Sequence, residues 1–144
     1  MDLADRQIIG WSLSSSMDAK STSIEAWKMA RKRRTIAEGA IFHSDRGVQY
    51  ACQSFVNELS ATGNVRQSMS RKGDCWDNAA AESFFKTLKA ELDMDEPFET
   101  YQQARTAIFE FIEIWYNRKR LHSALDYQTP AEMEQRLLTQ KQAA

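Results

Sequence analysis

The alternation of short apolar runs with helical stretches constrains the fold of this 144-residue chain more than any other feature. Residues 7–13 alternate apolar and polar side chains and predict a strand, while the apolar run at residues 40–44 predicts a buried strand. Residues 65–69 predict a third, short strand. The predicted helices between and after these strands cover residues 21–34, 51–62 and 78–92. Strands that alternate with helices indicate an α/β layer, in which helices cover a sheet.

The chain becomes wholly helical after Pro97. A long helix is predicted from Thr100 to Asn117, and a further helix begins at Thr129, where Pro130 occupies the first turn. The predicted core-facing stripe of the long helix comprises Ile108, Phe111, Ile112 and Trp115. We therefore expect a core at residues 1–95 and a helical extension of that core at residues 96–144.

Composition limits the classes of function. The formal net charge is −1 and the isoelectric point is about 6.1, which argues against a protein that coats nucleic acid by charge alone. No run approaches the roughly 20 apolar residues that span a bilayer, and we find no secretory signal. Cys52 and Cys75 match no metal-binding spacing, so we expect free thiols in a reducing cytoplasm.

Basic residues are clustered, although the total charge is nearly balanced. One interpretation of each cluster is a solvated face, and another is a contact with phosphate groups. The three clusters comprise Lys28, Arg31, Lys32, Arg33 and Arg34; Arg66, Arg71 and Lys72; and Arg118, Lys119 and Arg120.

Two acidic residues stand at positions suited to metal chemistry. Asp45 follows the apolar run at residues 40–44, and Glu82 lies in the first turn of a predicted helix. If they meet at a sheet edge, their carboxylates can bind Mg²⁺, which prefers oxygen ligands together with substrate phosphates. The alternative is that Asp45 caps a turn and Glu82 is a first-turn acid favoured by the helix dipole.

Lysines and a histidine accompany these acids. Lys86 and Lys89 follow Glu82 by four and seven residues, so the three share one helix face that suits a metal ion beside phosphates. An ordinary Glu–Lys pair is the alternative. Arg71 and Lys72 precede this helix and either contact phosphate or form a solvated loop. His43 is expected either to order the site or to be packed and hydrogen-bonded.

Three sequence blocks resemble the core of DDE-type bacterial insertion-sequence transposases, which have an integrase core and belong to the ribonuclease H-like superfamily. The blocks run from His43 to Tyr50, from Ser68 to Asn78 and from Ala81 to Lys89. Segments from Tyr116 to Leu125 and from Thr129 to Glu132 resemble the C-terminal signature of that family. Retroviral integrases are more distantly similar.

This resemblance implies a function and site residues. It implies metal-dependent cleavage and strand transfer of transposon DNA, with two Mg²⁺ (or Mn²⁺) ions in the complete site. By match, Asp45 corresponds to the second catalytic and metal-binding acid and Glu82 to the third. The DNA-binding residues that we expect are Lys86, Lys89, Arg71 and Lys72. The implied partners are transposon-end and target DNA and either further copies or full-length transposase, in the cytoplasm at the nucleoid.

The chain departs from the family pattern in two places. Asp45 and Glu82 are separated by 36 residues, one more than usual, and the extra residue is expected near residues 62–65. The strand that carries the first catalytic acid has no counterpart, since Asp2 and Asp5 stand at other motif positions. We therefore expect a partial ribonuclease H-like core that lacks its first central strand and is inactive alone. The alternative function is a non-catalytic fragment that binds DNA or full-length transposase and modulates transposition.

Overall fold

Helices and short strands alternate in the computed structural model, which describes residues 1–71, 78–92 and 97–143. The first part of the chain contains α1 (Ser23–Arg33), β1 (Ile41–Ser44), α2 (Val48–Ala51), α3 (Gln53–Ser60) and β2 (Arg66–Met69). The second part contains α4 (Ala79–Glu91), α5 (Tyr101–Phe109), a π-helix (Glu110–Tyr116), a 3₁₀-helix (Ser123–Leu125) and α6 (Pro130–Gln142). The predicted α/β class is confirmed. No helix in these ranges is long and apolar enough to cross a membrane.

The chain forms two compact units. One comprises residues 9–79, and the other combines residues 1–8 with residues 80–144. The predicted division into residues 1–95 and 96–144 concerns domains of the family core and stays a prediction.

In the unit of residues 9–79, β1 and β2 pair in parallel, with His43 opposite Ser68 and Ser44 opposite Met69. Because successive side chains of a strand point to opposite faces, Phe42 faces the helices while its neighbours do not. Phe42 packs edge-on against Phe55, whose side chain is fully buried. The buried apolar side chains around it are Ile9, Ile24, Trp27, Ala30 and Leu59.

In the other unit, aromatic side chains form the core. Phe84 of α4 contacts Tyr116 edge-on, with ring centroids 5.0 Å apart, and Phe111 lies 6.1 Å from Phe84. Tyr116 in turn packs against the His122 ring at 5.1 Å. The predicted start of α6 is confirmed, because Thr129 and Glu132 form a reciprocal capping box.

The predicted strand at residues 7–13 is wrong. A strand requires backbone partners on a neighbouring strand, but the N–H of Ile8 donates to Asn117 Oδ1 and the carbonyl of Ile8 accepts from Asn117 Nδ2. The following Gly10 lies against α1, where a Cβ atom would stand 2.1 Å from the carbonyl oxygen of Ala26. The Asn117 amide and the surface of α1 thus take the place that neighbouring strands would occupy beside residues 7–13.

Two predicted elements have different bounds or burial. The strand at residues 40–44 is only half-buried, because Ile41 points away from the helices and is 61% exposed. The helix predicted at residues 51–62 is divided by Cys52, whose extended backbone separates α2 from α3. The N-cap of α1 is Thr22, and Asp18 accepts a hydrogen bond from the Ser21 N–H just before it.

Two further features decide which helical side chains reach the core. Phe85 is 55% exposed because Phe84 already faces the core and adjacent helical residues differ by about 100°. The long helix changes from α to π at Glu110, and Asn117 N–H donates to the carbonyl of Ile112, five residues back. The wider π turn places Tyr116 in the core, where an α-helical register predicts Trp115.

Candidate active site

The Asp45 carboxylate lies on an exposed turn directly after β1. Its Oδ1 accepts a hydrogen bond of 2.8 Å from the Gly47 N–H. A Cβ at position 47 would stand 2.9 Å from the same oxygen and 2.8 Å from the Gln49 amide, so a larger residue there would displace these two side chains. The turn-capping interpretation of Asp45 is therefore confirmed. One carboxylate oxygen is occupied, while the other accepts no hydrogen bond within the described part of the chain.

The Asp45 carboxylate also influences a neighbouring phenol. Burial, and secondarily the negative charge of Asp45, raise the pKa of the Tyr50 hydroxyl above its ordinary value. Tyr50 belongs to the aromatic cluster around Phe42 and Phe55. The cluster thus packs beneath the turn that carries Asp45.

Ser70 fixes this turn against the end of β2. Its N–H donates to the Ser44 carbonyl at 2.9 Å, and its hydroxyl approaches the same oxygen at 3.3 Å. Its own carbonyl accepts from Arg46 Nε at 3.0 Å. Ser70 therefore contacts the residues on both sides of Asp45. Motif matching misses this role, although serines at alternate positions 68 and 70 were a visible signal.

His43 connects the two strands. Its Nδ1 lies 3.0 Å from Ser68 Oγ and its Nε2 lies 3.2 Å from Ser70 Oγ. Both ring nitrogens therefore have protein partners, so His43 is hydrogen-bonded as expected, but it is exposed and not packed in the core. The ring orders the strand end that precedes Asp45.

Glu82, Lys86 and Lys89 all lie on α4 and are all exposed. Within residues 1–71, 78–92 and 97–143, none of the three side chains forms a hydrogen bond or an ion pair. The alternative of an ordinary Glu82–Lys86 pair is thus not observed. One helix face presents a carboxylate and two ammonium groups to the solvent.

The other two predicted DNA-binding residues precede α4. Arg71 is exposed and directly follows Ser70. Lys72 lies outside the described residues, as do Cys75 and Asp77. Cys52 is a free thiol, in agreement with the sequence-based expectation.

The donor chemistry of both acids fits a magnesium ion. Each is an exposed carboxylate, and Mg²⁺ commonly uses one or two carboxylates together with water and phosphate oxygens. Among the described residues, no three His, Cys, Asp or Glu side chains form a group that could hold a metal ion. Asp45 and Glu82 belong to different compact units, and their convergence stays a prediction.

Known proteins resemble this chain over nearly its whole length. Two family models, each described as an integrase core domain, match residues 1–75 and 63–130. The transposase for insertion sequence element IS904 of Lactococcus lactis subsp. lactis (strain IL1403) is 43% identical over 134 residues, which cover 93% of this chain and 52% of the relative. Transposase InsF for insertion sequence IS3A of Escherichia coli (strain K12) is 41% identical over 138 residues, 96% of this chain and 47% of the relative. The chain thus spans about half the length of the curated relatives it matches.

Proposed function

The chain belongs to the integrase-core family of insertion-sequence transposases, and we propose that it contributes Asp45 and Glu82 to a metal-dependent DDE site that cuts and joins DNA strands. The single observation that carries this proposal is the Asp45 turn. Its exposed carboxylate is held in place by Gly47 and flanked by contacts to Ser70, while one oxygen remains available. The contacts of Ser70 with Ser44 and Arg46, on either side of Asp45, order the turn that presents this carboxylate.

Each proposed site residue has a defined role. Asp45 and Glu82 hold Mg²⁺ or Mn²⁺, with two ions in the complete site. When bound, the ions stabilise charge on the attacking and leaving oxygens of the phosphodiester. Lys86 and Lys89 continue the same face of α4 and contact DNA phosphates, since their ammonium groups are exposed and unpaired within the described residues. Arg71 and Lys72 add phosphate contacts before that helix.

The chain alone is expected to be inactive. A DDE site uses three acids, and the described residues contain no group of three potential ligands. In this proposal, the first acid of the site comes from a central strand that joins the ribonuclease H-like sheet beside β1. Transposon ends, target DNA and further transposase copies are the proposed partners, as they are for the whole protein.

Substitution of the acids in a full-length transposase that contains this chain tests the proposal. Asp45→Asn and Glu82→Gln keep side-chain volume but remove the negative charge, so each should abolish Mg²⁺-dependent strand transfer on a gel. Glu91→Gln is the matched control, because Glu91 is an exposed acid in the last turn of the same helix. Activity retained by either site variant, with the fold checked by circular dichroism, refutes the assignment.

A modulating fragment is the second candidate. The exposed side chains of Phe109 and Ile114, 47% and 45% accessible, favour it because they leave apolar surface on the helical unit. Phe111, in contrast, is buried in the aromatic core and does not form an interface. Co-purification of this chain with full-length transposase would support modulation, and its failure, or unchanged co-purification of a Phe109→Ser/Ile114→Ser variant, would contradict it.

A further inference from the structure

A closed loop from His122 to Gln128 follows the π-helix. The Tyr127 N–H donates to the His122 carbonyl at 3.0 Å, and the His122 N–H donates to the Gln128 carbonyl at 3.1 Å. Leu125, in the middle of the loop, is only 5% exposed and anchors it in the core. The backbone of this loop is therefore fixed by its own hydrogen bonds and by one apolar anchor.

Two successive residues of the loop adopt a left-handed backbone. Asp126 has φ 53° and ψ 42°, and Tyr127 has φ 59°. This region is unfavourable for residues with a Cβ atom, and more so for a bulky aromatic residue than for aspartate. Glycine would adopt the same backbone without that cost.

The Tyr127 side chain contributes nothing to offset this strain. It is 71% exposed and forms no hydrogen bond or ring contact within the described residues. Folding thus does not explain why a tyrosine occupies a position that suits glycine. An observed backbone outlier with an exposed aromatic side chain points to a binding role.

Two cationic side chains lie at the start of the connector that runs from Arg118 to Tyr127. Arg118 and Lys119 are exposed and form no ion pair or side-chain hydrogen bond in the described part of the chain. Arg120, in contrast, is engaged over the Tyr116 ring at 5.4 Å and beside His122. Asp126 is the acid within the loop, so the connector from Arg118 to Tyr127 retains a net positive charge.

We propose that this connector is a binding site for single-stranded DNA, in which Tyr127 stacks on an unpaired base and Arg118 and Lys119 contact phosphates. An exposed aromatic ring and exposed cations in one connector are the combination that single-strand binding surfaces use. Single strands suit it better than duplexes because base pairing and stacking cover the faces of the bases. The choice of DNA as the ligand rests on the proposed function, but the site is separate from the two acids.

The test compares two glycine variants of the full chain. Both Tyr127→Gly and Asp126→Gly relieve left-handed strain, so both should raise the urea midpoint of unfolding. Binding is measured in EDTA by fluorescence polarisation, with a labelled single strand of about 12 nucleotides and the matching duplex. Tyr127→Gly should weaken single-strand binding about fivefold or more, since it removes one stacking contact. Asp126→Gly, the matched control, should not weaken it, and Tyr127→Phe should retain it.

A separate measurement tests the proposed phosphate contacts of Arg118 and Lys119. An Arg118→Ala/Lys119→Ala variant should make the negative slope of log affinity against log salt shallower by about 1.4, because each phosphate contact on a single strand contributes about 0.7 to its magnitude. An unchanged slope contradicts the phosphate contacts.

Three other outcomes overturn the proposal: no DNA binding by the unaltered chain, equal binding by Tyr127→Gly, or equal loss with single-strand and duplex DNA. If Tyr127→Gly changes the apparent mass on size-exclusion chromatography but leaves DNA binding unchanged, the loop mediates a contact between proteins instead. Because the binding assay contains no metal, its result is independent of strand transfer by the Asp45 and Glu82 variants. Failure of one proposal can thus be distinguished from failure of the other.

Discussion

At the scale of single residues, His122 shows how a buried polar side chain depends on its surroundings. The imidazole is 9% exposed, it stacks against Tyr116, and Arg120 approaches its ring nitrogens at 3.0 and 3.1 Å. Burial, followed by the positive charges of Arg120 and Arg6, lowers the pKa of His122 to about 4. The folded chain therefore holds the ring in its neutral form at neutral pH.

This arrangement predicts an acid-sensitive contribution to stability. Between pH 6.5 and about pH 4, His122 is protonated in the unfolded chain but stays neutral in the folded chain. The free energy of unfolding should thus fall as pH is lowered from about 6.5 to 4. Urea unfolding of the unaltered chain and of His122→Gln at several pH values measures this. A stability difference between the two proteins that is constant over this range would contradict the assigned pKa.

At the scale of elements, the parallel pair β1–β2 is extended at its end by side chains. Ser68 and Ser70 flank the two ring nitrogens of His43, and only Ser70 also reaches the Ser44 carbonyl. The backbone hydrogen bonds of the sheet set the register, while these side-chain contacts order the turn that follows β1.

Ser70→Ala should therefore loosen the Asp45 turn more than Ser68→Ala does. Loss of hydroxyl contacts worth about 1 kcal/mol should speed hydrogen exchange of the Gly47 amide roughly 2- to 10-fold, because that amide is bonded to Asp45. Ser68→Ala is the matched control, since its hydroxyl contacts His43 but not the Ser44 carbonyl. Exchange measured by NMR at Gly47 that is equal in both variants would show that Ser70 does not order the turn.

At the scale of the whole chain, residues 1–8 are part of the same compact unit as residues 80–144. The Asn117 amide bonds both backbone groups of Ile8, at 2.9 and 3.1 Å. Gln7 adds a contact to Glu134 of α6 at 3.1 Å. Side chains distant in sequence thus join the N-terminal segment to the helices.

Asn117→Ala should destabilise this unit selectively. The substitution leaves a buried N–H and a buried carbonyl without partners, which costs roughly 2–5 kcal/mol. Hydrogen exchange should accelerate in α5 and α6 before it does in α1. Asn64→Ala is the control, because Asn64 is exposed and bonds Glu38 at the surface, so its effect should stay within about 0.5 kcal/mol. Uniform acceleration in all helices would show that the chain unfolds as one unit.

Local signals predicted part of the structure correctly. The start of α6 was predicted at Thr129 from Pro130 in its first turn, and strands were predicted close to the positions of β1 and β2. For the site, the sequence predicted only which residues match the motifs of the family and not how they are arranged in space. Glu82, Lys86 and Lys89 share an exposed face of α4 and have no side-chain partner among the described residues, and their role at the site stays a prediction. The contacts of Ser70 were signalled only by the serines at alternate positions 68 and 70.

The sequence by itself predicted most of the helices, the positions of two short strands and the family, because periodicity, capping and motif spacing depend on nearby residues. Tertiary structure alone decided that residues 7–13 do not form a strand, that the helix after Thr100 widens into a π turn, and that Tyr127 is held exposed on a strained backbone. The physical reason is the same in each case. Backbone groups bond whatever partner the fold brings near, and that partner can be an amide more than a hundred residues away.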